Sequence, residues 1–372
     1  MPLSRVANQG LTGPIGGRRN VIINGAQQVA QRATSVADVG GAIGYFVTDR
    51  MNLSNGGLSG RLTMSQDSDS PDGFANSLKF DCTTAQTSFD AADFCWFQTR
   101  IEGQDLQRFA KGTSSAKNFT FSFYVKANSA RTMIAELFDA DNTRAVSKTF
   151  TTTTDWSRIE IDFGADTTGA FDDDGNLSLY VALWLASGST YNGGTLQTSW
   201  VANNNANRNV GGSNFFSSTD NTLFITGMQL EVGSVATEFE HRSFGEELAL
   251  CQRYYRRMQR ADGSDTANTI GRGIACTRIG IAQTQSSTIA RCIIEFPVTM
   301  RTTPTLEVSA VADIDYVVGT SSPAATDFTT TSDGVSGAMV SYTNSGGGLT
   351  TGQAARLQFN ATDKFIAFDA EL

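Results

Sequence analysis

The chain has 372 residues, which at roughly 150 residues per domain predicts two to three domains. Its 28 Lys and Arg against 37 Asp and Glu give a net charge of −9, which argues against a nucleic-acid surface and against attraction to anionic lipid. The single histidine, His241, excludes any two-His metal motif and leaves one residue for a His-based triad.

With 36 Gly, 6 Pro and 24 Phe, the composition reads as short strands separated by many turns. There is no run of 18 apolar residues, so no membrane insertion is expected. Met1-Pro2-Leu3-Ser4-Arg5 lacks the apolar core of a signal peptide, which predicts synthesis in the cytoplasm without export by that route. The five cysteines have no metal spacing and are expected reduced, with Cys82 and Cys95 the one pair weighed as a disulfide.

Residues 1–19 are Gly-rich and polar and read as an extended arm. Val21-Ile22-Ile23 is a short apolar run that predicts a buried strand. In 118–126, Phe119, Phe121, Phe123 and Val125 share one face and Thr120, Ser122 and Tyr124 the other. Ile159, Ile161 and Phe163 alternate with charged residues in the same way. Residues 177–185 place five aliphatic side chains on one face and Tyr180, Ala182 and Trp184 on the other, the pattern of a central strand. Residues 223–232 continue the pattern with Gly227 as a bulge candidate.

Ser243-Phe244-Gly245-Glu246 has the form of a helix capping box. Phe244, Leu248, Cys251, Tyr255 and Met258 follow at 4-3-4-3 spacing, a seam that either joins helices of several subunits or packs one short helix on its own domain. The nearby Arg253, Arg256, Arg257 and Arg260 read as inter-subunit salt bridging or a solvated face. Beyond 261 the pattern is β again, ending with Ile366, Phe368, Ala370 and Leu372 on one face. The predicted fold is all-β: a jelly-roll β-sandwich over 20–242, a helical linker over 243–258, and a smaller C-terminal β-sandwich over 259–372.

The residue types offer three chemistries. Asp172, Asp173, Asp174 and Asn176 would supply oxygens to calcium, or equally form a solvated turn. Tyr180, Trp184, Tyr191 and Trp200 would stack on the C–H faces of a glycan, or form a second small core beneath the 186–222 insertion. Asp139, Asp141 and Asp166 are available as hydrolytic carboxylates, although paired acids arise readily among 37.

Four stretches resemble a bacteriophage family. Arg19-Asn20-Val21-Ile22-Ile23-Asn24-Gly25, with Gln28-Val29-Ala30-Gln31-Arg32, is similar to the opening of a carbohydrate-binding-module-like virion domain. Gly227-Met228-Gln229-Leu230-Glu231-Val232-Gly233, running on to Phe239-Glu240-His241-Arg242, is similar to its closing strand. Residues 245–255 resemble the link that follows it, and Phe368-Asp369-Ala370-Glu371-Leu372 resembles the end of such tail-fiber proteins. The resemblance implies a non-enzymatic virion structural protein, a trimeric tail fiber that attaches to host-surface glycan. The N-terminal arm would bind other virion proteins, and a capsid decoration or head fiber is the alternative. A polysaccharide-degrading tailspike is the less favoured reading, and no cofactor is implied beyond a structural calcium.

Overall fold

The computed structural model describes residues 18–259, 274–275, 278–319 and 321–372. The chain divides into two compact units. The first comprises the residues up to Gln28 together with Thr34–Arg242; the second comprises Val29–Ala33 and Ser243–Leu372. The expected arm over 1–19 lies outside the described residues except for Arg18 and Arg19.

The first unit contains β1 (Ser35–Val39), β2 (Gly44–Tyr45), β3 (Met51–Gly56), β4 (Arg61–Asp67), β5 (Ser77–Thr84), β6 (Phe94–Glu102), β7 (Phe119–Ala127), β8 (Thr132–Asp139), β9 (Arg144–Thr151), β10 (Ser157–Asp162), β11 (Leu177–Ser187), the single turn α1 (Ser189–Asn192), β12 (Val201–Ala202) and β13 (Thr222–Val232). One sheet runs β1-β4-β5-β13-β7-β10 and the other β12-β9-β8-β11-β6-β3-β2. The chain crosses repeatedly between the sheets and the strand pairs are antiparallel, which makes the unit a jelly-roll sandwich.

Alternation explains the packing. Phe119, Phe121, Phe123 and Val125 are fully buried between the sheets and meet Leu179, Val181, Leu183 and Leu185 from β11 in one core. Rings lock across the gap: Phe80 on Phe97 with centroids 5.2 Å apart, and Phe123 on Phe150 at 5.1 Å. Gly227, at φ +61°, sits where the β13–β7 register slips, so the bulge is present. Cys82 and Cys95 are buried free thiols.

Val21–Ile23 is not a strand. The segment is held instead by side chains of the stretches that carried the sequence resemblance. Asn20 Oδ1 accepts from Ile22 N and Leu230 N, and its amide donates to Met228 O. Glu240 accepts the backbone N–H groups of Arg19 and Asn20 at 2.9 and 3.1 Å, and Arg242 donates to the carbonyls of Asn20 and Ile22. Glu231 takes both the N–H and the hydroxyl of Thr237, while Gln229 Oε1 accepts from Glu240 N. At Gly25 a Cβ would fall 2.1 Å from Met228 O, so only glycine lets the turn approach β13. The opening and closing signatures are therefore two halves of one hydrogen-bonded latch.

The second unit contains α2 (Phe244–Gln252), β14 (Tyr255–Gln259), β15 (Ile274–Ala275), β16 (Arg278–Thr284), β17 (Ile289–Glu295), β18 (Thr305–Val308), β19 (Ile314–Val317), β20 (Asp327–Gly334), β21 (Gly337–Thr343), β22 (Ala354–Phe359) and β23 (Phe365–Asp369). Its sheets are β15-β14-β23-β18 and β19-β22-β16-β17-β21-β20, with Met258, Ile366 and Phe368 meeting Ile294, Val340 and Leu357 in a shared core. Val29–Ala33 belongs to this unit: Arg32 pairs with Asp369 at 2.9 Å and Glu371 at 3.3 Å and lies 3.6 Å above the Tyr255 ring. The Gln31-Arg32 end of the opening signature thus meets the C-terminal signature.

Two expectations need correction here. Residues 243–258 are not a helical linker, because α2 stops at Gln252 and both it and β14 count with the second unit. Ser243 does cap α2, accepting Glu246 N at 3.3 Å. But Tyr255 and Met258 lie on a strand paired with β23, and Cys251, Tyr255 and Met258 are buried within the unit. Of these five residues only Phe244 and Leu248 are half-buried, so they do not form one helical seam. Of the four arginines, Arg256 donates to Glu295 O and Arg257 covers the Phe365 ring at 3.8 Å within the unit, while Arg260 lies outside the described residues.

Candidate functional site

Side chains that alternate away from the first core collect on the outer face of the seven-stranded sheet. β11 contributes Tyr180, Ala182 and Trp184; β6 contributes Phe94, Trp96, Gln98 and Arg100; β8 contributes Ile134, Glu136 and Phe138. The register sets Phe138, Tyr180 and Arg100 in one row across three strands, Glu136, Ala182 and Gln98 in the next, and Ile134, Trp184 and Trp96 in a third.

The rings form a cross-strand stack. Phe138 lies on Tyr180 at 4.7 Å with planes 4° apart, and Tyr180 is parallel to Trp96 at 6.5 Å. Phe94 stacks on Trp96 at 4.5 Å, and Trp184 tilts against Trp96 at 4.6 Å. Tyr191, just beyond β11, brings its edge to Phe94 at 5.5 Å.

One charge pair anchors this layer. Arg208, from the insertion, reaches Glu136 Oε1 at 2.5 Å and donates to the Tyr180 hydroxyl at 2.7 Å. Its guanidinium lies 4.9–5.0 Å from the Trp96, Phe138 and Trp184 rings. Burial opposes the Arg208 charge, but the Glu136 carboxylate overrides it and holds the pKa above its ordinary value. Burial likewise pushes the Tyr180 phenol up, so the hydroxyl stays neutral. Further along, Gln98 accepts from Trp96 Nε1 at 2.9 Å and donates to Asn52 at 3.1 Å. Trp184 Nε1, both polar atoms of the Gln197 amide and Asn209 Oδ1 are buried without a hydrogen-bond partner among the described residues.

Of the four aromatic residues singled out in the sequence, Tyr180, Trp184 and Tyr191 come together. Trp184, 1% exposed, is a core residue of this layer, whereas Phe94, Phe138, Tyr180 and Tyr191 are half-buried at its rim. Trp200 is elsewhere: it packs in the first core against Phe119 at 5.5 Å. The second small core is present, with Trp96, Ile134, Ala182 and Trp184 buried in it and Phe94, Tyr180 and Tyr191 packed at its rim. Sequence reasoning missed Phe94, Trp96, Glu136, Phe138 and Arg208. Alternation within 94–100 and 134–138 was the available signal for the first four.

The acidic loop before β11 satisfies its own chain. Asp174 accepts from the Asn176 backbone and side-chain amides, Asp141 accepts from Asp172 N, and the carbonyls of Asp174 and Asn176 accept from Gln104 N and Gly103 N. Among the described residues no three His, Cys, Asp or Glu side chains converge as metal ligands, and within Asp172, Asp173, Asp174 and Asn176 the bonds between Asp174 and Asn176 form an Asx turn. Asp139 and Asp166 do meet, but on the buried ammonium of Lys111 at 2.5 and 3.2 Å, with Arg144 also on Asp166 at 2.8 Å. His241 packs between the Phe74 and Phe239 rings.

No protein-family model and no curated protein sequence matches this chain. Among solved structures it is similar to a CBM4 domain, at 13% identity over 56% of this chain and 97% of that one, with a TM-score of 0.27. It is also similar to the family 11 carbohydrate-binding module from Clostridium thermocellum in complex with a beta-1,3-1,4-mixed-linked tetrasaccharide, at 12% identity over 55% of this chain and 97% of that one, TM-score 0.27. A third is the enzymatically active domain of tailspike protein 4 of bacteriophage CBA120, at 9% identity and TM-score 0.29, where the match covers 57% of this chain and 21% of that one.

Proposed function

We propose that this protein is a non-enzymatic virion appendage, a tail fiber whose first unit binds host-surface glycan through the outer face of the seven-stranded sheet. The observation that carries the glycan reading is the half-buried rim of Phe94, Phe138, Tyr180 and Tyr191 beside Asn209, whose N–H donates to Tyr191 O and whose Oδ1 has no partner among the described residues. Sugar recognition uses both elements: an apolar edge for C–H groups and fixed polar atoms for hydroxyls. The virion assignment is supported by the sequence signatures. Their residues Arg19, Asn20, Glu240 and Arg242 hold the first unit shut, and Arg32, Asp369 and Glu371 hold the second.

The test is binding of purified full-length protein to an array of bacterial surface polysaccharides, followed by calorimetry on the best ligand. Phe138→Ala and Tyr191→Ala are each expected to weaken binding about two- to tenfold while leaving the fold intact, since an aromatic contact contributes about 0.5–1.5 kcal/mol. Unchanged affinity in both variants would move the site off this face. Release of reducing ends from the bound polysaccharide would overturn the non-enzymatic reading, and gold-labelled antibody on capsids rather than tails would favour a head fiber.

A further inference from the structure

The outer face of the first unit's six-stranded sheet carries a second group of aromatic rings. Leu78, Leu223, Ile225 and Val125 point into the first core, so alternation turns Lys79, Phe224 and Lys126 outward. The register sets these three in one row across β5, β13 and β7. Trp156 continues the row at the sheet edge, since the next residue, Ser157, pairs with Val125. Phe224 meets Trp156 at 6.3 Å and has both ammonium groups 5.5 Å from its ring. In the adjoining row Tyr124 contacts Phe74, from the β4–β5 loop, at 5.3 Å. Gly227 makes room for that pair: a Cβ there would fall 2.8 Å from the Phe74 ring and 2.9 Å from the Tyr124 ring. All four rings are half-buried.

A fixed carboxylate stands beside the rings. Asp69, on the same loop as Phe74, accepts from Lys126 Nζ at 2.6 Å and from Trp156 Nε1 at 3.0 Å. Those two bonds hold its carboxyl below the usual range. The side chain is 39% exposed, and each oxygen keeps a lone pair for a further donor. A sugar ring uses both parts: its C–H face lies on the aromatic row and its hydroxyls donate to Asp69. The charges select the kind of sugar. Lys126 is paired with Asp69, Lys79 with Asp81 at 3.3 Å, and Arg158 with Glu160 at 3.0 Å. An anionic sugar would therefore compete with carboxylates already in place, and a protein surface would have to strip water from all three ion pairs. Hydroxyl groups replace the water they displace. We infer that this face is a second glycan site, selective for uncharged sugars. The inference shares the glycan assignment with the seven-stranded face but none of its residues.

The test is calorimetry of the full chain against neutral gluco-, manno- and galacto-oligosaccharides and against an oligogalacturonate. At least one neutral oligosaccharide is expected to bind at two sites per chain. Trp156→Ala combined with Asp69→Asn is expected to weaken one site about tenfold or more and leave the other unchanged, because it removes a ring contact and a charged acceptor together. The pair F138A/Y191A is expected to do the converse. Circular dichroism verifies the fold of each variant. An unchanged isotherm in W156A/D69N, or no second site on any neutral chain, overturns the inference and leaves the seven-stranded face standing. Binding lost in W156A/D69N but untouched in F138A/Y191A rejects the seven-stranded face and supports this one. Tighter binding of oligogalacturonate at this face overturns the selectivity for uncharged sugars. A change of native mass by light scattering in W156A/D69N, with the isotherm unchanged, makes the face a subunit contact and overturns the inference.

Discussion

Lys111→Met is expected to destabilise the first unit by about 3–5 kcal/mol at neutral pH, because it removes one partner of a buried ionic cluster. Lys111 Nζ has no solvent exposure and donates to Asp139 Oδ2 at 2.5 Å and to the carbonyls of Thr168 and Gly169 at 2.9 and 2.7 Å. Asp166 lies 3.2 Å away and is clasped by Arg144 through two hydrogen bonds, while Asn142 donates to Asp139. Two cations thus balance two carboxylates. Methionine fits the stem but leaves Asp139 charged, buried and short of its cation.

The pH dependence gives a second readout. Burial pushes the Asp166 carboxyl up, but the Arg144 hydrogen bonds, the Thr168 N–H and the Lys111 charge together hold it below the usual carboxylate range. A lowered folded-state pKa contributes stability that is complete above the unfolded pKa and is lost as pH falls through the folded one. Wild type should therefore lose stability on acidification. K111M lacks one of the charges that hold the Asp166 carboxyl down, so wild type loses more stability than the variant on acidification and the gap should narrow from pH 7 to pH 3. Urea denaturation at both pH values measures this, and a gap of constant size would reject the ionic account.

The same contrast between local and distant effects decides what was legible in the sequence. β7 and β10 follow from strict alternation because each buries one face more completely than the other, whereas β11 is buried on both faces and β13 changes face at the Gly227 bulge. β14 defeated that reading: Tyr255, Arg256, Met258 and Gln259 are all buried, so no period of two survives, and Tyr255 and Met258 fell by chance on a helical spacing. Val21–Ile23 was apolar for burial but is fixed by side-chain hydrogen bonds from residues about 200 positions away, which no local pattern encodes. At the candidate site, Tyr180, Trp184 and Tyr191 were visible because one strand and the residues just after it hold them. Glu136 and Arg208 were not, since the pair is 72 residues apart in sequence and joins only when β8 and the insertion meet.

That pair carries the other large expected effect. Arg208→Met should cost about 3–5 kcal/mol, since it strands the fully buried Glu136 carboxylate and takes the hydrogen bond from the Tyr180 hydroxyl. Glu136→Gln combined with R208M should recover much of the loss, because the layer then holds a neutral amide among the Trp96, Phe138 and Trp184 rings instead of an unpaired charge. The readout is selective. All four tryptophans, Trp96, Trp156, Trp184 and Trp200, lie in the first unit, and two of them touch Arg208. Tryptophan fluorescence during chemical denaturation therefore follows this unit alone. The double variant also separates scaffold from recognition. If the Glu136–Arg208 pair only holds the insertion down, the refolded double variant keeps its glycan affinity. If the guanidinium itself meets a sugar hydroxyl at the rim, stability returns and affinity does not. An R208M protein within about 1 kcal/mol of wild type would mean that Glu136 reaches solvent once the arginine is gone, and the pair would not be what holds the insertion to the sheet.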